Sequence, residues 1–388
     1  MEQERLPELR KFVVPEFIYG PGAINLVGRY AKNFGAHRAL IVTDPGVIDA
    51  GWLEPVTASL QNEGVSWAVY RDVTPNPKDS EVFPGVEMLR ENGCDIIIAL
   101  GGGSPIDCAK AIGIVHANGE DVLAFEGVDE VPMPGPPLIC IPTTAGSSAD
   151  VSQFAIINDT HRHLKVAIIS KLVVPDIALI DPETTTTMPA ELTATTGLDA
   201  LVHAMEAYVS NASSPITDLH ALEAIPLLSN NLLCAIREPR NMVCRNHMMT
   251  GSLLAGMAFS NASLGLVHAM AHSLGGLTGL AHGLCNAILV KHVVAFNYPV
   301  VPQRYDRIAE AMGVVLEGLD AEARRDALMG HLEALLGGVE MPLRLGEYGV
   351  RRSDIPQLAL HAFHDPCLAT NPRQATQKEI EAIYEEAF

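Results

Sequence analysis

The sequence predicts a two-part α/β chain. A mostly parallel sheet covered by helices fills residues 1–188, and an all-helical region fills residues 189–388. Three observations predict it. Apolar runs with the composition of buried strands alternate with helical patterns through the first half, which is the signature of βαβ units. After the Thr-rich stretch Thr184–Thr187 and Pro189, apolar residues recur at helical spacing and strand-like runs nearly vanish. Aromatic residues make up only 5% of the chain, so Ala, Gly, Leu, Ile and Val must fill the core, which suits sheet-and-helix layers.

Taken in order, residues 11–19 (KFVVPEFIY) read as a first strand interrupted by Pro15, ending in the Gly20-Pro21-Gly22 turn. Residues 23–34 read as a short helix. Arg38–Thr43 is a continuous apolar strand stopped by Asp44-Pro45-Gly46, a turn signal. A helix, a strand at Val65–Tyr70 and the loop Asp72–Pro77 follow, then a helix over 79–92. Cys94–Leu100 is a buried strand running straight into Gly101-Gly102-Gly103-Ser104, with a helix from Pro105 through Val115 and a further strand at Pro137–Ile141.

Composition bounds the function. At 388 residues with 48% hydrophobic and 19% charged content, the chain can bury two sizeable cores. A net charge of −20 and the lack of any Lys/Arg block argue against nucleic acid or an anionic membrane surface as partner. Seven scattered cysteines without a C-x-x-C pair read as reduced, buried thiols. The charged N-terminus MEQERLPELRKF has no apolar signal region, and no window approaches 18 uninterrupted apolar residues, so the expected location is cytoplasmic.

A strand followed by Gly-Gly-Gly-Ser-Pro and a helix is a phosphate-binding arrangement. Glycines admit the anion close to the backbone, and the first helical amides meet it. It is not the G-x-G-x-x-G fingerprint. A second such loop, Pro142-Thr143-Thr144-Ala145-Gly146-Ser147-Ser148, also follows a strand, and two loops fit a ligand with two phosphates. Asp44, at the end of an earlier strand, can accept hydrogen bonds from a ribose diol and repel a 2′-phosphate; the alternative is a simple turn-former.

The second half carries the stretch GLVHAMAHSLGGLTGLAHG (265–283), with His268, His272 and His282 among small and apolar residues. His268 and His272 share one helical face, and His282 follows a Gly-Gly break and a further Gly. Burying unpaired imidazoles is costly, so three together point to a transition metal. In ATTGLDALVHAME (194–206), Asp199 and His203 lie one helical turn apart. Thr196 with Asp199 also reads as a capping box. A carboxylate and three imidazoles suit Fe(II) or Zn(II) with one position open to a substrate oxygen. Five candidates compete for about four places, and spacing does not say whether His268 or His272 is the spare. Nucleotide loops in one half and a metal in the other imply hydride transfer between a nicotinamide and an alcohol or carbonyl.

At this point the chain resembles the iron-containing (group III) alcohol dehydrogenase family. The motifs are GGGSPIDCAK (101–110), PTTAG (142–146), DP followed by a Thr-rich MP (181–189), ATTGLDALVHAMEAY (194–208), GLVHAMAHSLGG…HG (265–283), Pro75-Asn76-Pro77 and Asn371-Pro372-Arg373. The resemblance implies an N-terminal dinucleotide-binding domain, a C-terminal metal-binding domain and a homodimer. It implies Asp199, His203, His268 and His282 as metal ligands, which leaves His272 as a catalytic or proton-relay group near the nicotinamide. It implies NAD contacts from Asp44, Asn76, Gly102, Gly103, Ser104, Thr143, Thr144, Ser152, Phe154 and Lys165. The chain departs from the family at Ser147-Ser148-Ala149-Asp150, where Thr-Gly-Ser-Glu is usual, and at Thr184 and Ala281.

The expected function is therefore NAD-dependent, metal-dependent interconversion of a small primary alcohol or diol with its aldehyde. A metal- and NAD-requiring lyase of the dehydroquinate-synthase type is the runner-up, but it would want several Lys or Arg in the cleft. A nucleotide-binding sensor with little turnover is the third reading.

Overall fold

The computed structural model describes residues 9–162 and 164–388; most of the charged N-terminal segment read above lies outside the described residues. The first half holds β1 (Glu16–Tyr19), β2 (Arg38–Val42), β3 (Ser66–Tyr70), β4 (Ile96–Gly101), β5 (Gly127–Val128), β6 (Leu138–Pro142), β7 (Phe154–Asp159), β8 (Leu164–Ile169) and β9 (Ile177–Ile180). Between them run α1 (Val27–Asn33), α2 (Pro45–Asp49), α3 (Leu53–Asn62), α4 (Asp79–Glu91) and α5 (Gly103–Asn118).

Six strands form one sheet in the order β1-β9-β6-β4-β2-β3, with every pairing parallel. Alternation along the strands explains why both faces are covered. Leu40, Val42, Ile97 and Ala99 belong to one apolar cluster, while Ala39, Ile41, Ile96, Ile98 and Leu100 belong to another. The chain runs from β2 outward to β3 and then returns to place β4 on the other side of β2. The carboxyl ends of β2 and β4 therefore flank a topological switch point, where open parallel sheets hold ligands. Asp44 and the Gly101–Ser104 loop leave the sheet at these two ends.

Two readings change here. The first strand is only Glu16–Tyr19, because Pro15 cannot donate to a ladder and pairing with β9 begins after it. The hairpin β7–β8, in a second sheet ordered β5-β8-β7, was not anticipated. Its residues alternate between buried and half-buried, since one face packs inward and the other borders a cavity.

Among the described residues no strand follows Ile180. The helices are α6 (Ala190–Val209), α7 (Pro215–Arg237), α8 (Met242–Ala262), α9 (Leu266–Thr278), α10 (His282–Asn297), α11 (Pro302–Ala311), α12 (Ala321–Gly337), α13 (Ile355–His364) and α14 (Gln377–Glu386). α6 is buried along nearly its whole length and forms the axis of this half. α7 is long and apolar enough to cross a bilayer, yet its buried residues Ala221, Ala224, Ile225, Leu228, Leu232 and Ala235 form one stripe at helical spacing that belongs to the helical core.

Cys234 and Cys244 are joined in a disulfide with Cα atoms 6.1 Å apart. This corrects the expectation that all seven thiols are free. The end of α7 and the start of α8 are brought together by a short loop, a proximity that a spacing of 10 residues in sequence does not reveal. The other five cysteines are free and buried. Nor is Gly275-Gly276 a break: α9 passes through both and ends at Gly279, whose φ of 72° caps it in the left-handed region.

Candidate active site

Asp199, His203, His268 and His282 each present one donor atom, and these atoms all lie within 4.8 Å of one another. Nε2 of His203 is 3.6 Å from Asp199 Oδ1, and Nε2 of His268 and of His282 are each 3.7 Å from it. Metal–ligand bonds of 2.0–2.2 Å imply tetrahedral edges of about 3.3–3.6 Å, so the donor spacing fits a small divalent cation. Asp199 and His203 sit on α6, His268 on α9 and His282 at the start of α10. Thr196 lies well inside α6, with its hydroxyl bonded to Leu192, so Asp199 is not a helix cap. Gly283 lets α10 approach this closely, because a Cβ there would stand 2.0 Å from the Thr195 carbonyl oxygen.

The donor chemistry fits as well. Burial keeps His203 at about 4 and His282 well below the usual imidazole range, so both offer lone pairs. For Asp199 burial opposes charge, but the surrounding imidazoles outweigh it and hold the carboxyl well below the usual range. For His268 burial is again opposed, here by the Asp199 carboxylate nearby and the hydrogen-bonded Glu206 carboxylate, which push it up to about 9.

Glu206 was missed from the sequence. Its carboxylate accepts from Nδ1 of His268 at 2.6 Å, from Val267 N at 2.6 Å and from Gly265 N at 2.9 Å. With Asn371, which accepts from Leu266 N at 3.1 Å, it does the work of a side-chain cap that α9 otherwise lacks. One buried carboxylate therefore anchors the helix and leaves His268 Nε2 facing the cluster. Asn286, one turn after His282 on α10, was also missed. Its amide donates to Asp199 Oδ1 at 2.6 Å.

The cluster forms one end of a cavity of about 750 Å³, and the expected cofactor residues line the rest. All ten are there: Asp44, Asn76, Gly102, Gly103, Ser104, Thr143, Thr144, Ser152, Phe154 and Lys165. The two phosphate-type loops face each other closely, since a Cβ on Gly103 would stand 2.8 Å from Ser147 Oγ. Asn76, at φ 56°, donates its amide to Ser104 Oγ and accepts from Lys165 Nζ at 2.9 Å, tying a third loop to the first. Asp44 uses Oδ1 to cap α2 through Val47 N at 3.0 Å, so the turn-former reading also holds. Changing Asp44 to Gly is expected to weaken NAD and lower the preference for NAD over NADP, measured as the ratio of kcat/KM for the two. An unchanged ratio would contradict the ribose-diol role.

Two further residues explain this geometry. Lys110 is 2% exposed and donates to the carbonyls of Ser152 at 2.8 Å and Phe154 at 2.6 Å, fixing the strand that enters the cavity. Phe154 lies against Phe259, and Phe259 stacks on His203 at 4.2 Å, which joins the cofactor side to the cluster. The altered loop is accommodated too. Ser148 takes φ 50°, the region a glycine would occupy, and its hydroxyl donates to the Ser252 carbonyl at 2.7 Å on α8. Thr184 is buried and donates to the carbonyls of Pro142 and Asp181, both at 2.7 Å. His272 stands outside the four-donor cluster, with its ring stacked 5.2 Å from that of His282.

A parallel sheet with nucleotide loops at its switch point, closed by a helical region carrying three imidazoles and a carboxylate, defines a metal-assisted, dinucleotide-linked oxidoreductase. The sequence matches "Iron-containing alcohol dehydrogenase" over residues 15–182 and "Fe-containing alcohol dehydrogenase family, C-terminal" over residues 193–388. It is 39% identical to a 1,3-propanediol dehydrogenase of Citrobacter freundii, over 97% of this chain and 98% of that one. It is 38% identical to an NAD-dependent methanol dehydrogenase of Bacillus methanolicus, over 97% and 99%. The crystal structure of a 1,3-propanediol oxidoreductase superposes with a TM-score of 0.96 at 38% identity, covering 98% of this chain and all of that one. The chain belongs to the iron-containing alcohol dehydrogenase family. It is an NAD-linked, metal-using oxidoreductase of alcohols and aldehydes.

Proposed function

We propose that this chain interconverts a small primary alcohol or diol and its aldehyde, with Asp199, His203, His268 and His282 holding Fe(II), or Zn(II) in its place. The observation that carries the reading is that the four-donor cluster and the nucleotide loops line one cavity. When bound, the cation supplies Lewis acidity toward the alcohol or carbonyl oxygen, and NAD supplies the hydride acceptor. The protein's own residues do the rest. The two Gly-rich loops receive the pyrophosphate, Asp44 the ribose diol, and Ser152 and Phe154 the nicotinamide end. Phe259, Leu264, Pro366 and Cys367 wall the reacting end and exclude water. His272 contacts the substrate side.

The apolar wall supports a small alcohol. Relatives named for 1,3-propanediol, methanol and lactaldehyde support the same size class. The lyase reading is disfavoured because Lys165 is the one Lys or Arg among the described residues lining the cavity. The complete donor set weighs against the sensor. We further propose a division into domains at 188/189. A homodimer is favoured by the edge position of β1 with its exposed Phe17 and Tyr19, and a cytoplasmic location by the five free thiols.

The test is NADH formation with a panel of primary alcohols and diols, using protein stripped of metal and resupplied with Fe(II) or Zn(II) without oxygen. Turnover that depends on the added metal is expected. No turnover in either direction with NAD still bound would favour the sensor or the lyase.

A further inference from the structure

Outside the four-donor cluster, His272 and Cys367 line the cavity and form a second connected group with Asp365. Asp365 links the end of α13 to the turn Pro366–Thr370. Its Oδ1 accepts from Cys367 N at 2.8 Å, and its Oδ2 lies 2.9 Å from Nδ1 of His272. The Cys367 thiol lies within 4.8 Å of this carboxylate. Both side chains are largely buried, at 13% exposure for His272 and 14% for Asp365. Although burial opposes its charge, the His272 ring and the Cys367 amide hold Asp365 below the usual carboxylate range. An ionised carboxylate cannot donate, so the hydrogen between the two groups sits on Nδ1 of His272. Nε2 of His272 makes no hydrogen bond among the described residues, and the ring lines the cavity.

We infer that Asp365 is a positioning residue: it fixes His272 in one orientation and one tautomer, with a bare Nε2 directed to the reacting end of the cavity. There Nε2 accepts a hydrogen bond from the substrate hydroxyl. The arrangement is that of a base held by an orienting carboxylate, in which the carboxylate never touches substrate. The turn that places Asp365 also places Pro366 and Cys367 in the cavity wall, so one short segment sets both the orientation of the ring and the shape of the pocket. The inference rests on the alcohol reading of this cavity.

Asp365→Asn keeps the shape and an oxygen for Cys367 N, but offers an amide hydrogen to Nδ1 and so favours the Nε2–H tautomer. In the metal-loaded protein it is expected to lower kcat roughly 10–100-fold, within the range of a misplaced general acid–base group. The KM for alcohol, the bound metal and the Kd for NAD should change little. In a His272→Ala background the same substitution should cost nothing further, since the two act as one unit. Nitrogen NMR of zinc-loaded, 15N-histidine protein should show His272 as the Nδ1–H tautomer, switching in Asp365→Asn.

Additive losses, an unswitched tautomer, or loss of the metal together with the rate would overturn the inference. So would a second zinc bound by the wild type and lost in Asp365→Asn, because that would make the trio a cation site. Should the wild type turn over no alcohol, the alcohol reading fails by itself, and the NMR tautomer still decides what Asp365 does.

Discussion

Replacing Asp199 by Ala removes bound metal and turnover together. Asp199 Oδ1 is the one anionic donor in the cluster, and three Nε2 atoms stand 3.6–3.7 Å from it. Holding an ionised carboxylate away from water costs several kcal/mol unless opposite charge and hydrogen bonds offset it. Three imidazoles and the Asn286 amide provide that offset in the metal-free protein, and a divalent cation provides more. With Ala the cation would face neutral nitrogens alone in a buried site. Lewis-acid assistance contributes several kcal/mol to such reactions, so its loss should lower kcat by about 10³-fold or more. Asp199→Asn, which preserves volume, guards against a variant that fails to fold. Metal analysis of the purified variants checks the outcome, and full metal content in either would sink the ligand assignment.

Glu206→Gln should give the second largest effect, at a residue that touches neither metal nor substrate. The carboxylate holds Nδ1–H of His268 and accepts from two backbone amides at the start of α9. Gln can keep one acceptor but turns an N–H toward His268, which favours a hydrogen on Nε2, where a lone pair is needed. Disturbing such outer partners typically weakens metal binding by about 10–100-fold. The unpaired backbone amide adds a loss of about 1–3 kcal/mol in stability. The two effects separate experimentally: metal Kd by competition with a chelator, stability by denaturant unfolding without metal. A variant with wild-type metal affinity would show that His268 is oriented by packing alone.

Much of the site was legible because its signals are local. Asp199 and His203 are one turn apart, His268 and His282 lie in one short apolar stretch, and the glycine loops follow continuous apolar strands. What stayed hidden depends on contacts between distant parts of the chain. Glu206 reaches His268 across 62 positions, Asn286 reaches Asp199 across 87, and Asp365 reaches His272 across 93. Nothing in the local pattern around Glu206 marks it as different from a surface acid at a helix end. Lys110 reads as one residue of the helix that follows the glycine loop, and only the fold shows its ammonium clamped on two carbonyls. The β7–β8 hairpin escaped notice because half of its side chains border the cavity, which dilutes the apolar run expected of a buried strand. The spare histidine could not be chosen by spacing, since His268 and His272 share a face. Only the meeting of α6, α9 and α10 selects His268.

The most direct test of the account is a titration of metal-free protein with Fe(II) under anaerobic conditions, following NADH formation from a responsive alcohol. Rate should rise linearly and stop at one metal per chain, and Asp199→Ala should stay flat throughout. A wild-type rate already full without metal, or an Asp199→Ala chain that follows the same curve, would contradict the claim that these four residues build the active centre.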